Sequence, residues 1–153
     1  MSVDMQKWCE IAKKNVHNRP AGEGRMAGKI CIVTGAAQGF GKGIAEELYK
    51  EGAAVIIADI NEPLAKQVAA EFGPRAAAVA VNVCDEASVA ALAAQTVERF
   101  GGLDLMLASA GVVHASPLAQ MEQKDFDFVT SVNYTGFFLC AKYAAILMQA
   151  QHE

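Results

Sequence analysis

The sequence of 153 residues has no apolar run long enough for a membrane helix, although 53% of its residues are hydrophobic. Its uncharged apolar segments fall short of the roughly 18 residues that a spanning helix requires. The opening stretch, MSVDMQKWCEIAKKN, lacks the apolar centre of a secretory signal and carries acidic residues instead. We therefore expect neither a membrane span nor a secretory signal.

Basic residues are too few and too scattered to suggest a nucleic-acid-binding protein. Lys and Arg number 13 against 17 Asp and Glu, which gives a formal net charge of −4 at pH 7. Because there is no basic run, nucleic acid is not the expected partner. The apolar content also excludes a disordered chain, and the length allows one domain or part of a larger one.

Cysteine pairs of the CxxC type and clustered histidines are missing as well. These residues are scattered along the chain, at Cys9, Cys31, Cys84 and Cys140 and at His17, His114 and His152. Without ligand-type spacing we expect no structural metal site. Cys31 falls in a strand-like run and Cys140 in an apolar helix, so we expect buried thiols, which fit a reducing cytoplasm.

Residues 1–27 form a leader whose pattern differs from the rest of the chain. Apolar residues from Met5 to Val16 have the spacing of one helix face, and Asn18-Arg19-Pro20 ends the helix that this spacing predicts within residues 1–19. The following PAGEGRMAG predicts a flexible linker. The pattern leaves open whether the leader docks on the body, docks on a partner or is loosely attached.

From Lys29 onward, short apolar strands alternate with helices. The predicted strands are 29–34, 54–58, 77–83 and 103–108. The predicted helices are 40–51, 62–72, 86–100 and 124–149, with a short helical turn after Ser116-Pro117. Because the strands are continuously apolar, they predict a parallel sheet covered by helices on both faces. The predicted fold class is α/β, a three-layer α/β/α Rossmann-type sheet of about four strands in residues 28–153.

A glycine-rich loop joins the first strand of this sheet to the next helix. Its sequence is Thr34-Gly35-Ala36-Ala37-Gln38-Gly39-Phe40-Gly41. Gly35 permits the sharp turn out of the strand, Gly39 lets the backbone approach a pyrophosphate, and Gly41 lets the helix pack closely on the sheet. The helix N-terminus offers unpaired N–H groups and a positive dipole end to phosphates. The loop therefore predicts a dinucleotide site.

An acidic residue, Asp59, ends the second strand and is followed by Ile60. A carboxylate roughly 20 residues after the glycine loop can bind both ribose hydroxyls of an adenosine. Its charge repels a 2′-phosphate, and no cation lies between Gly35 and Gly41, so we expect NAD rather than NADP. The alternative is that Asp59 is only a loop cap.

The loop spacing TGxxxGxG and three later segments resemble the short-chain dehydrogenase/reductase family. The segments are Asn82-Val83 after the third strand, Ala108-Ser109-Ala110-Gly111 after the fourth, and Val132-Asn133-Tyr134-Thr135-Gly136 in the last helix. Phe40 stands where the family has Ile or Leu, Asn82 replaces an Asp, and Ser109 replaces an Asn that ties strands together, so weaker bracing is expected there.

The resemblance implies hydride transfer between NAD(H) and a small-molecule alcohol or ketone, with a polyol or sugar phosphate as the nearest class. It implies that Asn133 is one member of a catalytic tetrad. It also implies cofactor contacts for Thr34, Gly35, Gln38, Gly39, Phe40, Gly41, Asp59, Ile60, Asn82, Val83, Ser109, Ala110 and Gly111. On this basis, residues 28–153 are the NAD-binding portion of such an enzyme.

The family's serine and Tyr-x-x-x-Lys pair have no counterpart among these residues. Four places after Tyr49, Tyr134 and Tyr143 stand Ala53, Phe138 and Leu147. The fold is thus incomplete relative to the family, and we expect the chain to be inactive alone. Whether it is an enzyme, a fragment, or a non-catalytic nucleotide-binding or interaction module stays open. A methyltransferase is disfavoured by the TGxxxGxG spacing.

Two features predict association. The fourth strand would be an uncovered sheet edge. The last helix is apolar nearly all round, so its apolar residues cannot all face one sheet. We therefore expect a homo-oligomer or a chain that needs a complementing chain.

Overall fold

A parallel four-stranded sheet, with the order β3-β2-β1-β4, organises the molecule. The computed structural model describes residues 3–152. The strands are β1 (Ile30–Thr34), β2 (Ala54–Asp59), β3 (Ala76–Ala80) and β4 (Leu105–Ala108). Ile32 of β1 lies opposite Ile56 of β2 and Met106 of β4, which sets the register of the central strands. The predicted Rossmann-type parallel sheet is confirmed.

Helices cover both faces of the sheet. They are α1 (Met5–Lys14), α2 (Gly39–Lys50), α3 (Glu62–Phe72), α4 (Glu86–Phe100), α5 (Gln123–Thr130) and α6 (Gly136–His152). Alternate strand residues point to opposite faces. Ile32 and Ile56 therefore pack with α4 and α6, whereas Val33 and Ile57 pack with α2 and α3. The layers are α/β/α, as predicted.

Helix boundaries follow local side-chain chemistry. Asn61 and Asp85 accept hydrogen bonds from Leu64 N–H and Ala87 N–H, which caps α3 and α4. Gly101 ends α4 in the left-handed conformation, with φ 93°. The predicted starts and ends of α3 and α4 are confirmed.

Two predicted strands are too long, and the prediction is wrong at their ends. β3 ends at Ala80 rather than Val83, because the neighbouring strand β2 ends at Asp59, which lies opposite Ala80. β4 begins at Leu105 rather than Leu103. The N–H and carbonyl of Leu103 are instead bound by the side chain of Gln151 in α6, both at 2.7 Å.

The last predicted helix exists but is not regular. Residues 131–135 form a π-helical turn between α5 and α6. Gly136 begins α6 beside Val83, and a Cβ at this glycine would lie 2.8 Å from the Val83 side chain. The helix faces the sheet with Leu139, Ala144 and Leu147, which are buried. The outer side of the segment from α5 to α6 carries exposed aromatic residues, which are Phe126, Phe128, Tyr134, Phe137 and Phe138.

The leader docks on the body of the protein. Its helix is shorter than predicted and ends at Lys14, because Asn15 closes the last turn through bonds to the Ile11 and Ala12 carbonyls. Ala12 is fully buried in the core cluster that contains α4 and α6 residues. Arg19 forms an ion pair with Asp104 (3.4 Å), which also accepts a bond from Ile30 N–H. Residues 1 and 2 of the predicted leader lie outside the described residues.

The predicted linker contacts the end of α2. Met26 N–H donates to the Glu51 carbonyl at 2.7 Å, and the Arg25 guanidinium pairs with the Glu51 carboxylate at 2.9 and 3.0 Å. Gly22 and Gly24 lie against the backbone of Gly52 and Glu51. This segment therefore follows a defined path from the leader to β1.

Two cysteines are buried thiols. Burial raises the pKa of the Cys31 thiol to about 12, with a further contribution from the Asp104 charge. Burial also raises the pKa of Cys140 to about 11. Cys84 is exposed. Within residues 3–152, no helix has the length and apolarity to cross a membrane, and no cluster of acidic, Cys and His side chains has the arrangement of a metal site.

Candidate functional site

The predicted site residues lie along the edge of the sheet where the strands have their carboxyl ends. β1 leads into the glycine loop, β2 ends at Asp59, and β4 is followed by Ser109 and Ala110. In open parallel sheets, ligands bind at this edge, beside the point where the order of strands reverses. In this sheet that point lies between β1 and β4. The helices α2 and α3 lie on one face of the sheet, and α4 lies on the other.

The glycine loop is closely packed on its inner side. Gly35 has a positive φ of 66°, and a Cβ there would lie 2.9 Å from the Ala110 Cα. A Cβ at Gly41 would overlap the Gly35 carbonyl. Side chains at these two positions would therefore push α2 and the loop after β4 away from β1.

The outer side of the same loop is open. Gly39 has φ 59° and has no atom within 4 Å of the position that a Cβ would take. Gln38, which precedes the first turn of α2, gives that turn no side-chain hydrogen bond, and the turn contains no acidic residue. The first N–H groups of α2 are thus left for a ligand, and the helix dipole favours an anion there.

Asp59 connects the end of β2 to the glycine loop. One carboxylate oxygen accepts a bond from Ala37 N–H at 3.0 Å, and the other accepts a bond from Asn61 N–H at 2.9 Å. Asp59 is half-buried. A carboxylate has about four acceptor positions, so acceptor capacity remains toward solvent. The side chain therefore acts as a loop cap and also remains able to bind hydroxyl groups beside the loop.

Asn82 and Val83 follow β3 at the same edge. Val81 N–H binds the Asp59 carbonyl at 3.0 Å, which holds this segment next to the end of β2. The Asn82 side chain is exposed, and its oxygen accepts a bond from Cys84 N–H. Val83 is buried under Gly136. Only Asn82 of this pair thus presents a polar side chain to the surface.

Thr34 ties the ends of β1 and β4 together. Its buried hydroxyl accepts a bond from Ala110 N–H at 3.1 Å and donates one to the Leu107 carbonyl at 3.5 Å. Ser109 and Ala110 are half-buried and Gly111 is exposed. Thr34 therefore holds the end of β4 against β1 on both sides of Ser109 in the sequence.

Asn133 fixes the loop after β4 by binding the backbone. Its side-chain oxygen accepts from Val112 N–H, and its side-chain nitrogen donates to the Val112 carbonyl, both at 2.8 Å. Asn133 lies in the π-helical turn, a deviation often found at functional sites. In the same loop, the His114 side chain approaches the Asp125 carboxylate of α5 to 3.6 Å.

Two apolar site residues are exposed. The relative exposure is 92% for Phe40 and 75% for Ile60. Phe40 borders an open groove of about 620 Å³ between the linker and the outer face of α2, which Met26, Ile44 and Leu48 also line. The groove adjoins the glycine loop without including Asp59, so it is separate from the polar part of the site.

The structure thus brings the predicted site residues together at one edge of the sheet. Gly35 touches Ala110, Asp59 binds the loop, and Gly136 holds the Asn133 turn near Val83. The open Gly39, the available amides and the Asp59 carboxylate fit the diphosphate and ribose of a dinucleotide. No sequence pattern indicates the backbone partner of Asn133 or the bond between Asp59 and Ala37, because both contacts join segments that are distant in the chain.

Comparison with known proteins gives one consistent family. Residues 29–153 match the family model described as short chain dehydrogenase. A sorbitol dehydrogenase from Cereibacter sphaeroides is 35% identical over 126 residues, covering 82% of this chain and 49% of that protein. A 2,5-dichloro-2,5-cyclohexadiene-1,4-diol dehydrogenase from Sphingobium indicum is 40% identical over 124 residues, covering 80% of this chain and 50% of that protein.

Solved structures agree with this result. A 3-ketoacyl-(acyl-carrier-protein) reductase from Brucella melitensis, solved with NADH, is similar with a TM-score of 0.75 and 36% identity. That match covers 76% of this chain and 49% of the reductase. The chain spans about half the length of the curated relatives it matches.

Proposed function

This chain belongs to the short-chain dehydrogenase family, and from that membership we propose that residues 28–153 form its NAD-binding portion. The glycine loop and the start of α2 would hold the diphosphate, and Asp59 would hold the adenosine ribose. NAD supplies hydride-transfer chemistry when it is bound. The alternative that Asp59 only caps the loop is compatible with this role, because its carboxylate has further acceptor positions.

The single observation that carries the proposal is the open start of α2 beside Asp59. The amides of the first turn have no cap from Gln38, the position of a Cβ on Gly39 is free, and Asp59 lies one hydrogen bond from the loop. An anion with adjacent hydroxyl groups satisfies both features at once. The NADH in the similar Brucella reductase supports the same choice of ligand.

We propose NAD rather than NADP as the preferred cofactor. A negative carboxylate beside the ribose hydroxyls repels the 2′-phosphate that distinguishes NADP. Asp59 is the acidic group in this place, and its two backbone bonds keep it directed along the loop.

The proposed reaction is hydride transfer between NAD(H) and an alcohol or ketone, with polyols as the substrate class. The similar sorbitol and cyclohexadienediol dehydrogenases are named for substrates that carry several hydroxyl groups. Asn133 would act by fixing the loop after β4 through Val112. The tyrosine–lysine pair that moves the proton in this family is not among the 153 residues, so we expect these residues alone to bind without turnover.

A binding measurement tests the proposal. Asp59→Asn keeps an oxygen that can accept the Ala37 N–H but removes the charge, so NADH affinity should fall by about tenfold while the fold is kept. Nicotinamide fluorescence is the suitable signal. Trp8, the sole tryptophan, lies against the C-terminal end of α4, away from the loop.

Asp127→Asn is the matched control, because it removes the same charge from the exposed surface of α5. Its NADH affinity should equal that of the unaltered chain. A folded Asp59→Asn variant with unchanged affinity would contradict the proposal.

A second candidate is a non-catalytic nucleotide-binding module. The two candidates share the same site and differ in turnover. Formation of NADH from NAD and a panel of polyols by the purified chain would exclude the module, whereas binding without NADH formation would support it.

A further inference from the structure

Lys42 lies in the first turn of α2 and is bound to a carboxylate of α3. Its ammonium forms an ion pair with Glu71 at 3.0 Å. Glu71 is itself oriented by Gln67, whose side-chain nitrogen donates to its other oxygen at 3.0 Å. The two bonds hold the pKa of the Glu71 carboxyl below its usual value, the Lys42 bond contributing most. Lys42 is therefore held by a carboxylate that is already fixed in place.

The same lysine belongs to the segment that would receive the cofactor. Its N–H binds the Gln38 carbonyl at 3.2 Å, and the neighbouring Ala37 N–H binds Asp59. The Cα–Cβ bond of a helical residue is tilted toward the N-terminus of its helix, so the stem of Lys42 starts toward the loop, while its ammonium lies at Glu71. A lysine has a charged end on a flexible stem, so the position of this ammonium depends on the carboxylate with which it pairs.

Lys66 of α3 is also paired with a carboxylate. It forms an ion pair with Glu62 of the same helix at 2.6 Å. Lys42 and Lys66 are thus both paired with carboxylates of α3. Of these two lysines, Lys42 is the one paired across two elements, so the direction of its side chain depends on a residue far from the loop in sequence.

We propose that Glu71 is a specificity-determining residue, which favours NAD by holding Lys42 away from the place of a 2′-phosphate. This inference rests on the proposed cofactor site. Glu71 would add a second contribution to that of Asp59. The Asp59 carboxylate repels the 2′-phosphate, and the Glu71 carboxylate binds the Lys42 ammonium, which would otherwise attract that phosphate. A dianionic 2′-phosphate is the group that a released Lys42 would bind.

The test compares NADH and NADPH affinity in the full chain by nicotinamide fluorescence. Glu71→Gln removes the charge and keeps the side-chain shape, and Glu71→Ala releases the lysine completely. NADPH affinity should rise by about three- to fivefold in both variants, the scale of an exposed ion pair, while NADH affinity changes by less than about twofold. The gain should shrink at higher salt, because the Debye length falls from about 30 Å at 0.01 M to about 8 Å at 0.15 M.

Lys42→Gln provides the decisive control. In the double variant Lys42→Gln with Glu71→Gln, the NADPH gain should disappear, since the cation is gone. Glu47→Gln, which removes one charge elsewhere on α2, should leave the preference unchanged. A gain that persists without Lys42, or an unchanged preference in both Glu71 variants, overturns this inference alone. An unaltered chain that does not bind NADH overturns the proposed function together with it.

Discussion

At the residue scale, two glycines of α2 show that the atoms around a glycine determine whether a side chain can replace its hydrogen. Gly41 lies against the Gly35 carbonyl, which a Cβ would overlap, whereas Gly43 has no atom within 4 Å of the same position. Both are in the same helix, two residues apart. The close contact of Gly41 positions α2 on β1, whereas Gly43 makes no close contact that requires a glycine.

We predict opposite effects of the same substitution at these glycines. Gly41→Ala should lower the free energy of unfolding by about 1–3 kcal/mol, because the loop must shift to admit the methyl group. Gly43→Ala should raise it by about 0.5–1 kcal/mol, because alanine is the better helix former. Urea unfolding measures both, and NADH affinity should fall only for Gly41→Ala.

A stabilised Gly41→Ala variant with full NADH affinity would contradict the packing role of this glycine. Gly43→Ala serves as the control for the loss of glycine flexibility in general.

The residues that the sequence predicted best are those with local signatures. The glycine loop and the caps Asn61 and Asp85 depend on neighbours within a few positions, so their pattern is visible in the chain. The pairing of Asn133 with Val112 and of Lys42 with Glu71 joins different elements. Such contacts have no sequence spacing, so only the folded arrangement shows them.

At the element scale, the order and type of helices and strands followed from periodicity, but some ends did not. β3 ends where β2 no longer provides a pairing partner. α1 ends at Lys14, with Asn15 as its C-cap, although the apolar spacing continues to Val16. The π-helical turn at 131–135 also has no signal in the apolar pattern. Strand ends depend on neighbouring strands, which a single stretch of sequence does not contain.

Gln151 is the residue with which α6 holds the start of β4. It is 6% exposed and binds both the N–H and the carbonyl of the fully buried Leu103. We predict that Gln151→Ala lowers the free energy of unfolding by about 2–4 kcal/mol, because two buried backbone groups lose their partner. Chemical denaturation measures the change.

Gln149→Ala is the matched control, since Gln149 is exposed on the same helix. It should change the stability by less than about 0.5 kcal/mol. Equal effects of the two substitutions would show that the Leu103 contact does not matter for stability.

At the scale of the whole molecule, the exposed aromatic residues of α5 and α6 are the main unpartnered feature. Phe137 is 59% exposed and Phe138 is 58% exposed, while Leu139 beside them is buried. The prediction that this helix cannot turn all its apolar residues to one sheet is confirmed. Large exposed apolar patches favour association.

We predict that the chain self-associates in solution through this face. Light scattering after size-exclusion chromatography should give a mass above the 16.2 kDa of one chain. Phe137→Ser together with Phe138→Ser should shift the population toward the single chain, because the apolar area is reduced.

Phe40→Ser removes one exposed phenyl group from the groove beside α2 and is the control. It should leave the mass distribution unchanged if association uses the helical face. A monomeric, cooperatively unfolding parent chain would refute the prediction.

The side-chain amides of Asn133 and Gln151 bind the backbone on either side of β4, at Val112 and at Leu103. Asn133 lies in the π-helical turn and Gln151 in the last turn of α6, so one continuous helical segment carries both amides. Deleting or inserting a single residue between them would rotate one amide by about 100° relative to the other. The helix therefore has a fixed length as well as a fixed face, and natural or engineered indels belong in the loops around it.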